Sequence, residues 1–366
     1  MLLTEHNIFY YLLDKGMINS TPVLEGEFTV HRSDSRNNNF IINREFGHHT
    51  FFIKQVKALD TEKIETMRVE ATAYWLANTD LQYKALKEFL PKYFYYDSMN
   101  HILVVEQVKD SMSVYDYYLQ VEEFNTALPQ QIADILASFH KTVNPAASQQ
   151  NAGFQYFRKQ TPWVFTIAGN PAANFAGTAQ SADQQIMQMI LKNNEFVQLM
   201  AQASNEWQAT SLIHNDAKFN NFLIGYEPDK KTIRQIKLID WELADIGDPL
   251  WDVASVIQNY LTLWLTTDQP EQGHHSNMKK ITLQQVQPCI YQFWQRYLQQ
   301  MNWPASHNHA ALAKVARFCA LKLIHTAFET TPYTKTLHPL TVRMLQMSLN
   351  ILRSPAEAAT KLLGIK

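Results

Sequence analysis

The pattern of hydrophobic and polar residues changes twice within the first 110 residues. Three runs rich in Val, Ile, Phe and Thr are separated by polar turns, a pattern that is typical of an antiparallel meander. The predicted strands are 27–33, 39–44 and 50–56. Apolar residues then recur every three or four positions from Ile64 to Trp75, which predicts a helix that ends near residue 79. A further buried strand is predicted at 101–108.

From residue 110 onward the apolar spacing is that of amphipathic helices. Ile132, Ile135, Leu136 and Phe139 stand at the spacing that places them on one helix face. The other predicted helices are 181–208, 251–265, 282–301, 309–328 and 338–353. We therefore predict an α+β protein with a β-rich N-terminal lobe, residues 1–108, and a large, mainly helical C-terminal lobe, residues 109–366.

One segment with β-strand character interrupts the helical half of the chain. The runs 222–225 and 233–239 flank a turn-rich segment, which predicts a β-hairpin. Antiparallel pairing would bring Asn221, before the first strand, beside Asp240, after the second. Amide and carboxylate oxygens suit Mg²⁺, which completes its shell with phosphate and water. Each residue alone could also be a simple turn former or cap, so the prediction depends on the set.

The segment "SLIHNDAKFN", residues 211–220, places further polar chemistry directly before this hairpin. A carboxylate close to a metal site, here Asp216, can accept a proton from an alcohol. A lysine two residues later, Lys218, can neutralise the charge of a transferring phosphoryl group. The segment and the hairpin together predict a phosphate-transfer site with Asp216 and Lys218 as its catalytic residues and Asn221 and Asp240 as its metal ligands.

Composition narrows the class of protein. The chain has two cysteines at distant positions, which favours a reducing compartment over a disulfide framework. Its first residues lack the basic region and cleavage site of a signal peptide, and no apolar run reaches about 18 residues. No dense basic run with interleaved aromatics indicates nucleic acid as a ligand. We expect a cytoplasmic protein that binds neither membrane nor nucleic acid.

The residues of this site resemble those of a known family. Residues 214–221 fit the pattern H-x-D-x-x-x-x-N, "LIDWE" with Asp240 follows at the expected distance, and "GDPLWDVA" comes next. Together they resemble the aminoglycoside phosphotransferase and choline kinase-like family. The resemblance implies a protein-kinase-like two-lobed fold, ATP and Mg²⁺ as cofactors, and a buried role for Asp252 against the backbone of the catalytic loop. It implies a structural role for His214, and it leaves GTP possible as the nucleotide.

The same resemblance implies a nucleotide site in the N-terminal lobe. Lys54, on the third predicted strand, stands where the family has its ATP-binding lysine, and Glu70 on the following helix is its expected partner. The backbone at Glu106 and Val108 would meet the adenine. The turn that would cover the phosphates contains no glycine, which departs from a Gly-rich loop, so Ser33 and Ser35 are the candidates there.

The acceptor is less specified than the nucleotide. Residues 251–366 carry 11 basic and five acidic side chains, a net charge of +6, which disfavours a polycationic aminoglycoside. We expect an O-phosphotransferase acting on a hydroxyl of a small molecule or peptide, with a neutral or anionic acceptor easier to accommodate. The aromatic side chains of the helices, Trp251 and Tyr260 among them, should lie mostly in the core, with a few available to line the acceptor pocket. One alternative is a Ser/Thr peptide kinase of a ribosomal-peptide modification system, working with a partner protein. Another is a pseudokinase that binds nucleotide only as a scaffold.

Overall fold

A computed structural model describes residues 1–21, 28–33, 37–44, 50–57, 59–121, 123–143, 155–167, 169, 181–227, 232–268, 279–303, 305–331 and 335–365. The chain forms two compact units. The first contains residues 1–113 and 221–244, and the second contains residues 114–220 and 245–366.

The first unit is built on an antiparallel sheet with the strand order β1-β2-β3-β5-β4. Its strands are β1 (Phe28–Ser33), β2 (Asn38–Arg44), β3 (Phe51–Gln55), β4 (Tyr93–Asp97) and β5 (Ile102–Glu106). Its helices are α1 (Ile8–Asp14), α2 (Thr61–Thr79) and α3 (Leu86–Phe89), and a 3₁₀ turn spans Leu81–Tyr83. The predicted meander is confirmed, and so is the predicted helix, whose N-cap Asp60 accepts a hydrogen bond from the backbone of Lys63. The sequence analysis missed strand β4.

The predicted hairpin is also confirmed, and it belongs to the first unit. Its strands β8 (Phe222–Tyr226) and β9 (Ile233–Leu238) pair with each other, and β8 pairs on its other side with the short strand β6 (Ser111–Ser113). Lys237 Nζ also donates to the backbone carbonyls of Glu88 and Leu90. The compact units therefore divide the chain differently from the boundary that we predict between residues 108 and 109, because the segment of β6 looks like a polar turn in sequence.

The second unit is mainly helical. Its helices are α4 (Val114–Gln120), α5 (Ala127–Thr142), α6 (Ala182–Leu191), α7 (Asn194–Ser204), α8 (Pro249–Thr267), α9 (Leu283–Met301), α10 (Ala305–Glu329), α11 (Pro339–Arg353) and α12 (Pro355–Lys361). The predicted helix at 181–208 is two helices, because Asn193 ends the first and caps the second through its side chain. Large aromatic side chains fill the core, among them Trp251, Tyr260 and Trp294.

A short pair of strands in the second unit holds the segment that carries Asp216. Strand β7 (Ser211–Ile213) pairs antiparallel with β10 (Asp245–Gly247), and α8 begins immediately after β10. A Cβ at Gly247 would meet Ile213 Cδ1 at 2.3 Å, so a larger residue there would force the Ile213 side chain to move. The pairing places the N-cap of α8, Asp248, beside Gln208 before β7, and Asp252 in the first turn of α8 then reaches the residues that follow β7.

Among the helices that the structure describes, none combines the length and the apolar character needed to cross a membrane.

Candidate active site

Three charged side chains meet in the first unit. Lys54 Nζ, on β3, lies 3.0 and 2.8 Å from the two carboxylate oxygens of Glu70 on α2. The same Nζ lies 2.7 Å from Asp240 Oδ1, after β9. The Lys54–Glu70 contact follows from the sequence pattern, because β3 alternates between buried and half-buried positions and Glu70 flanks the apolar stripe of α2. The structure thus joins three of the predicted site residues in one cluster.

Burial and charge act against each other in this cluster. Burial by itself lowers the pKa of Lys54, but the carboxylates of Glu70 and Asp240 outweigh it and raise that pKa above its ordinary value. Burial raises the pKa of Glu70 to about 7, although Lys54 opposes the shift. Lys54 therefore stays protonated at neutral pH, and its charge is balanced by the protein itself.

The open end of the hairpin places the two predicted metal ligands on adjoining strand ends. The backbone amide of Ile239 donates to the carbonyl oxygen of Asn221 at 2.9 Å, and Asp240 follows directly. Asp240 has left-handed backbone angles, φ 67° and ψ 56°, which few non-glycine residues adopt and which often mark functional sites. The side chain of Asn221 is buried, and the Asp240 carboxylate is 31% exposed. The set offers one carboxylate and one amide oxygen.

The remaining nucleotide-site candidates are dispersed along the first unit. Ser33 is the last residue of β1 and pairs with Asn39 on β2, whereas Ser35 lies outside the described residues. Glu106 ends β5, and its carboxylate accepts a hydrogen bond from the backbone amide of Lys92. Val108 is buried, and its carbonyl accepts from the Ser111 hydroxyl at 2.7 Å. Within the described part of the chain, the backbone N–H of Val108 has no acceptor.

In the second unit, a buried aspartate organises the loop after β7. Asp252, in the first turn of α8, is fully buried and accepts hydrogen bonds from the backbone amides of His214 at 2.6 Å and Asn215 at 2.8 Å. His140 Nε2 lies 3.2 Å from the same carboxylate. Burial would raise the pKa of Asp252, but these hydrogen bonds and the two histidines hold it below its ordinary value. The expected contact between Asp252 and the catalytic-loop backbone is therefore present.

The loop held by Asp252 presents Asp216. Asn215 has a positive φ of 68°, and its side-chain oxygen accepts from the indole N–H of Trp251 at 2.9 Å. His214 is fully buried, and its Nδ1 accepts from the backbone amide of Asp216, which agrees with the structural role expected for it. Lys218 Nζ lies 2.8 Å from Asp216 Oδ2. The two predicted catalytic side chains are thus an ion pair on a rigidly supported loop.

Asp216 and Lys218 line a cavity of about 160 Å³ within the second unit. Trp251 and Tyr260 do not line it and are buried in the core, as we predict for most of the helix aromatics. Helix α10 contributes instead, with Lys322, His325 and Thr326 among the residues facing the cavity. The sequence analysis missed these residues, although a lysine and a histidine within the apolar run "FCALKLIHTAF" were a usable signal.

A second, larger cavity lies elsewhere in the second unit. It measures about 620 Å³ and is lined by residues of α8, α11 and α12. Its lining includes charged side chains such as Arg343, Arg353 and Lys361, but none of the predicted site residues. We therefore assign the chemistry to the smaller cavity beside Asp216.

Comparisons with known proteins bear on the family and the fold of the chain. Residues 110–278 match the family model described as "Phosphotransferase enzyme family". The solved structures that are similar include the choline kinase of Cryptosporidium parvum Iowa II, at 15% identity and a TM-score of 0.59, with 95% of each chain covered. They also include a Plasmodium vivax ethanolamine kinase, at 11% identity and a TM-score of 0.56, with 97% of this chain and 90% of that chain covered. No curated protein sequence gives a match. The expected kinase-like fold is confirmed.

Proposed function

We propose that this chain, whose residues 110–278 match the model of the phosphotransferase enzyme family, is an ATP- and Mg²⁺-dependent O-phosphotransferase for a small molecule. Each compact unit carries its own part of the required chemistry. The first unit carries Lys54, Glu70, Asn221 and Asp240, and the second carries Asp216 and Lys218. The choline and ethanolamine kinases with similar folds are named for acceptors with an alcohol group, which supports a hydroxyl as the acceptor here.

The observation that carries the proposal is the position of Lys54 between two carboxylates. A lysine that serves only stability needs one partner, yet Lys54 Nζ contacts Glu70 and Asp240 at 2.7 to 3.0 Å. In phosphoryl transfer a strand lysine fixed by a helix glutamate binds the nucleotide phosphates, and an aspartate beside it binds the metal ion. The cluster contains one residue for each of these tasks.

The chemistry at Asp216 follows from its surroundings. The hydroxyl oxygen of the acceptor attacks the γ-phosphorus of ATP, the bond from that phosphorus to the ADP oxygen breaks, and the hydroxyl proton passes to the Asp216 carboxylate. Lys218, 2.8 Å from Asp216, offsets negative charge that develops during the transfer. Asp252 keeps the loop in position through its bonds to the backbone of His214 and Asn215.

The residues at the hairpin end fit a magnesium ion. Mg²⁺ prefers hard oxygen ligands and in phosphoryl-transfer enzymes uses one or two carboxylates together with substrate phosphates. Asp240 and Asn221 would supply the protein oxygens, and the bound ion would neutralise charge on the phosphates. Among the residues that the structure describes there is no cluster of three His, Cys, Asp or Glu side chains, so a site for zinc is not indicated there.

The first unit also offers groups for the rest of the nucleotide. The backbone N–H of Val108 can donate to a ring nitrogen of the base, and the backbone at Glu106 lies two residues earlier on the same segment. Ser33, at the end of β1, and Ser35 are the candidates for phosphate contacts. Backbone contacts of this kind accept adenine and do not by themselves exclude guanine, so the assay below includes GTP.

The test is ADP release from MgATP, or GDP release from MgGTP, with sugars, amino alcohols, hydroxy acids, aminoglycosides and Ser/Thr peptides as acceptors. We expect acceptor-dependent release by the native chain, and a fall of roughly 100- to 10,000-fold in Asp216→Asn, because a positioned general base contributes about that much. Asp134→Asn is a matched control, since Asp134 pairs with Arg296 on the surface of the second unit. It should keep the native rate.

The outcomes separate this proposal from its rivals. Release with a Ser/Thr peptide alone would assign the chain to peptide modification. Tight binding of MgATP without release for any acceptor, and without a difference between native chain and Asp216→Asn, would indicate a nucleotide-binding scaffold. Failure to bind MgATP or MgGTP at all would contradict the proposal itself.

A further inference from the structure

The cavity beside Asp216 differs in character from a site for a positively charged amine. Apart from its charged residues, its described lining consists mainly of hydroxyl and amide side chains, including Ser255, Gln258, Asn259 and Thr326. Tyr115 supplies the one phenol or indole ring among the described lining residues. Binding of a quaternary ammonium group relies on several aromatic faces around the cation. The wall of this cavity is instead suited to hydrogen bonds with hydroxyl groups.

A buried lysine lies in this wall. The side chain of Lys322, on α10, belongs to a residue that is only 4% exposed. Its Nζ donates to the carbonyl oxygen of Asn215 at 3.0 Å and stands 4.2 Å from the centre of the Trp251 ring. Of its three N–H donors, one has an acceptor in the described part of the chain. Lys322 therefore carries a buried positive charge, and two of its three N–H donors have no acceptor in the described part of the chain.

The carboxylates near Lys322 have other partners and form no ion pair with its Nζ among the described residues. Asp216 is already paired with Lys218 at 2.8 Å, and Asp252 is occupied by two backbone amides and His140. His325 Nδ1 lies 3.7 Å from Glu329, whose side chain is 46% exposed. Burial, aided by Lys322 and Lys218, lowers the pKa of His325 to about 3, so His325 is neutral. Asp216, Asp252 and Glu329 act on Lys322 only from a distance, so among the described residues its ammonium group has no direct carboxylate partner.

The volume of the cavity limits the size of the acceptor. Each non-hydrogen atom of the size of water needs about 10–15 Å³ of such space, so a cavity of about 160 Å³ holds on the order of ten atoms. That matches a hydroxy acid or a single sugar ring. A multi-ring aminoglycoside is several times larger, and it is also a polycation.

We propose that the acceptor is a small hydroxylated compound that carries a carboxylate, and that Lys322 binds this carboxylate inside the cavity. The inference rests on the proposed kinase activity and adds the substrate class and one specificity-determining residue. The hydroxyl of the acceptor would face Asp216, and the hydroxyl and amide side chains of the wall would bind its other oxygens. The amine acceptors after which the structurally similar kinases are named would place a positive charge against Lys322.

The test uses two series of compounds of similar size, each with an acid, a neutral compound and an amine. One series is glycerate, glycerol and 3-aminopropane-1,2-diol, and the other is glucuronate, glucose and glucosamine; choline is added as a separate amine. ADP release gives kcat and KM, and calorimetry with a non-hydrolysable MgATP analogue gives affinities that do not depend on turnover. We expect the acid of at least one series to exceed its neutral and amine counterparts by about 10- to 100-fold in kcat/KM, the range of a charged hydrogen bond.

Lys322→Met then separates binding from positioning. If Lys322 binds the carboxylate, the variant raises KM for the acid about 10- to 100-fold and removes the preference for acid over neutral compound. If Lys322 only positions Asn215, kcat falls by the same factor for every acceptor and the preference remains, which overturns the inference. Lys141→Met makes the same change in charge at an exposed site on α5 and should keep the preference.

Each remaining outcome also decides the question. A preference for an amine, or equal rates across a series, overturns the inference and leaves the proposed kinase activity in place. If no compound is phosphorylated, the calorimetric affinities decide, and an acid that binds no more tightly than its neutral counterpart overturns the inference. Tight, Lys322-dependent binding of the acid to a chain that does not bind MgATP would uphold the binding site and contradict the proposed function.

Discussion

The two compact units each contain a buried lysine at their candidate site, and the two lysines have opposite surroundings. Lys54 contacts two carboxylates, and its pKa is raised above the ordinary value. Lys322 contacts a backbone carbonyl and an indole ring, and burial lowers its pKa to about 8, against the opposing effect of Asp216, Asp252 and Glu329. The first charge is balanced within the protein. The second is balanced only in part, so it responds to pH and to a bound anion.

The largest effect is expected from removing the balanced lysine. Lys54→Met leaves Glu70 buried without its partner, which costs about 3–5 kcal/mol in the free energy of unfolding. The loss should be greater at pH 8 than at pH 6. Without Lys54 the pKa of Glu70 rises above its native value of about 7, so the folded variant at pH 8 keeps a proton that the unfolded chain releases, and its stability falls more steeply with pH. Chemical denaturation at both pH values measures the difference.

A double variant provides the control for this prediction. Lys54→Met combined with Glu70→Gln removes both charges, so it should recover most of the lost stability while nucleotide affinity stays low. If the single variant is as stable as the native chain at pH 8, Lys54 does not compensate the buried charge of Glu70. The proposed role of Lys54 in nucleotide binding would then lose its main support.

The Lys54 cluster could be predicted from the sequence, whereas the environment of Lys322 could not. Lys54 and Glu70 are 16 residues apart, and a strand followed by a helix brings them together with few alternatives. Asp240 joins them through a hairpin whose register follows from its turn. Lys322 meets Asn215 across 107 residues and through the packing of α10, which depends on the whole helical core. The local sequence pattern shows only that Lys322 lies in an apolar stretch, and it does not show what the side chain contacts.

The next prediction concerns how the rate with an acidic acceptor depends on the charge of Lys322. With an acidic acceptor, kcat/KM should fall as pH rises through about 8, by about tenfold for each further pH unit, because Lys322 loses the proton that gives it charge. Asp216, Lys218, His325 and Glu329 also face this region, and His325 is already neutral in this range. Nucleotide affinity, which depends on Lys54, should not change over the same pH range.

The control for this profile is Lys322→Met with the same acceptor. Its rate is expected to be low and flat between pH 7 and 9. If kcat/KM of the variant also falls as pH rises through 8, another group is responsible for the titration. The pH profile would then no longer distinguish Lys322 from Lys54.

A smaller effect is expected from His325, the neutral neighbour of Lys322. Its pKa in the folded chain is about 3, below the ordinary value of about 6.5, so between these values the unfolded chain binds a proton that the folded chain does not. This group therefore stabilises the folded state above pH 6.5, and the contribution is lost as pH falls. At pH 5.5 the loss is about 1 kcal/mol relative to pH 7. His325→Gln should lose correspondingly less stability than the native chain over that interval, and equal losses in both proteins would contradict the assignment.

The smallest effect on stability is expected from the lysine whose charge is least balanced. Replacing Lys322 by Met removes one hydrogen bond and a contact with Trp251, but it also removes the cost of burying a charge, so the free energy of unfolding at pH 7 should change by no more than about 1 kcal/mol. Because its folded pKa of about 8 lies below the ordinary 10.5, the unfolded chain binds more protons between these values, and the native chain gains stability as pH rises from 8 towards 10. The Met variant lacks this gain, so denaturation at pH 7 and pH 9.5 should show the native chain improving relative to it. A loss at pH 7 as large as that of Lys54→Met would mean that Lys322 is held as firmly by the protein as Lys54 is. The ammonium group of Lys322 would then not be available to an anionic acceptor.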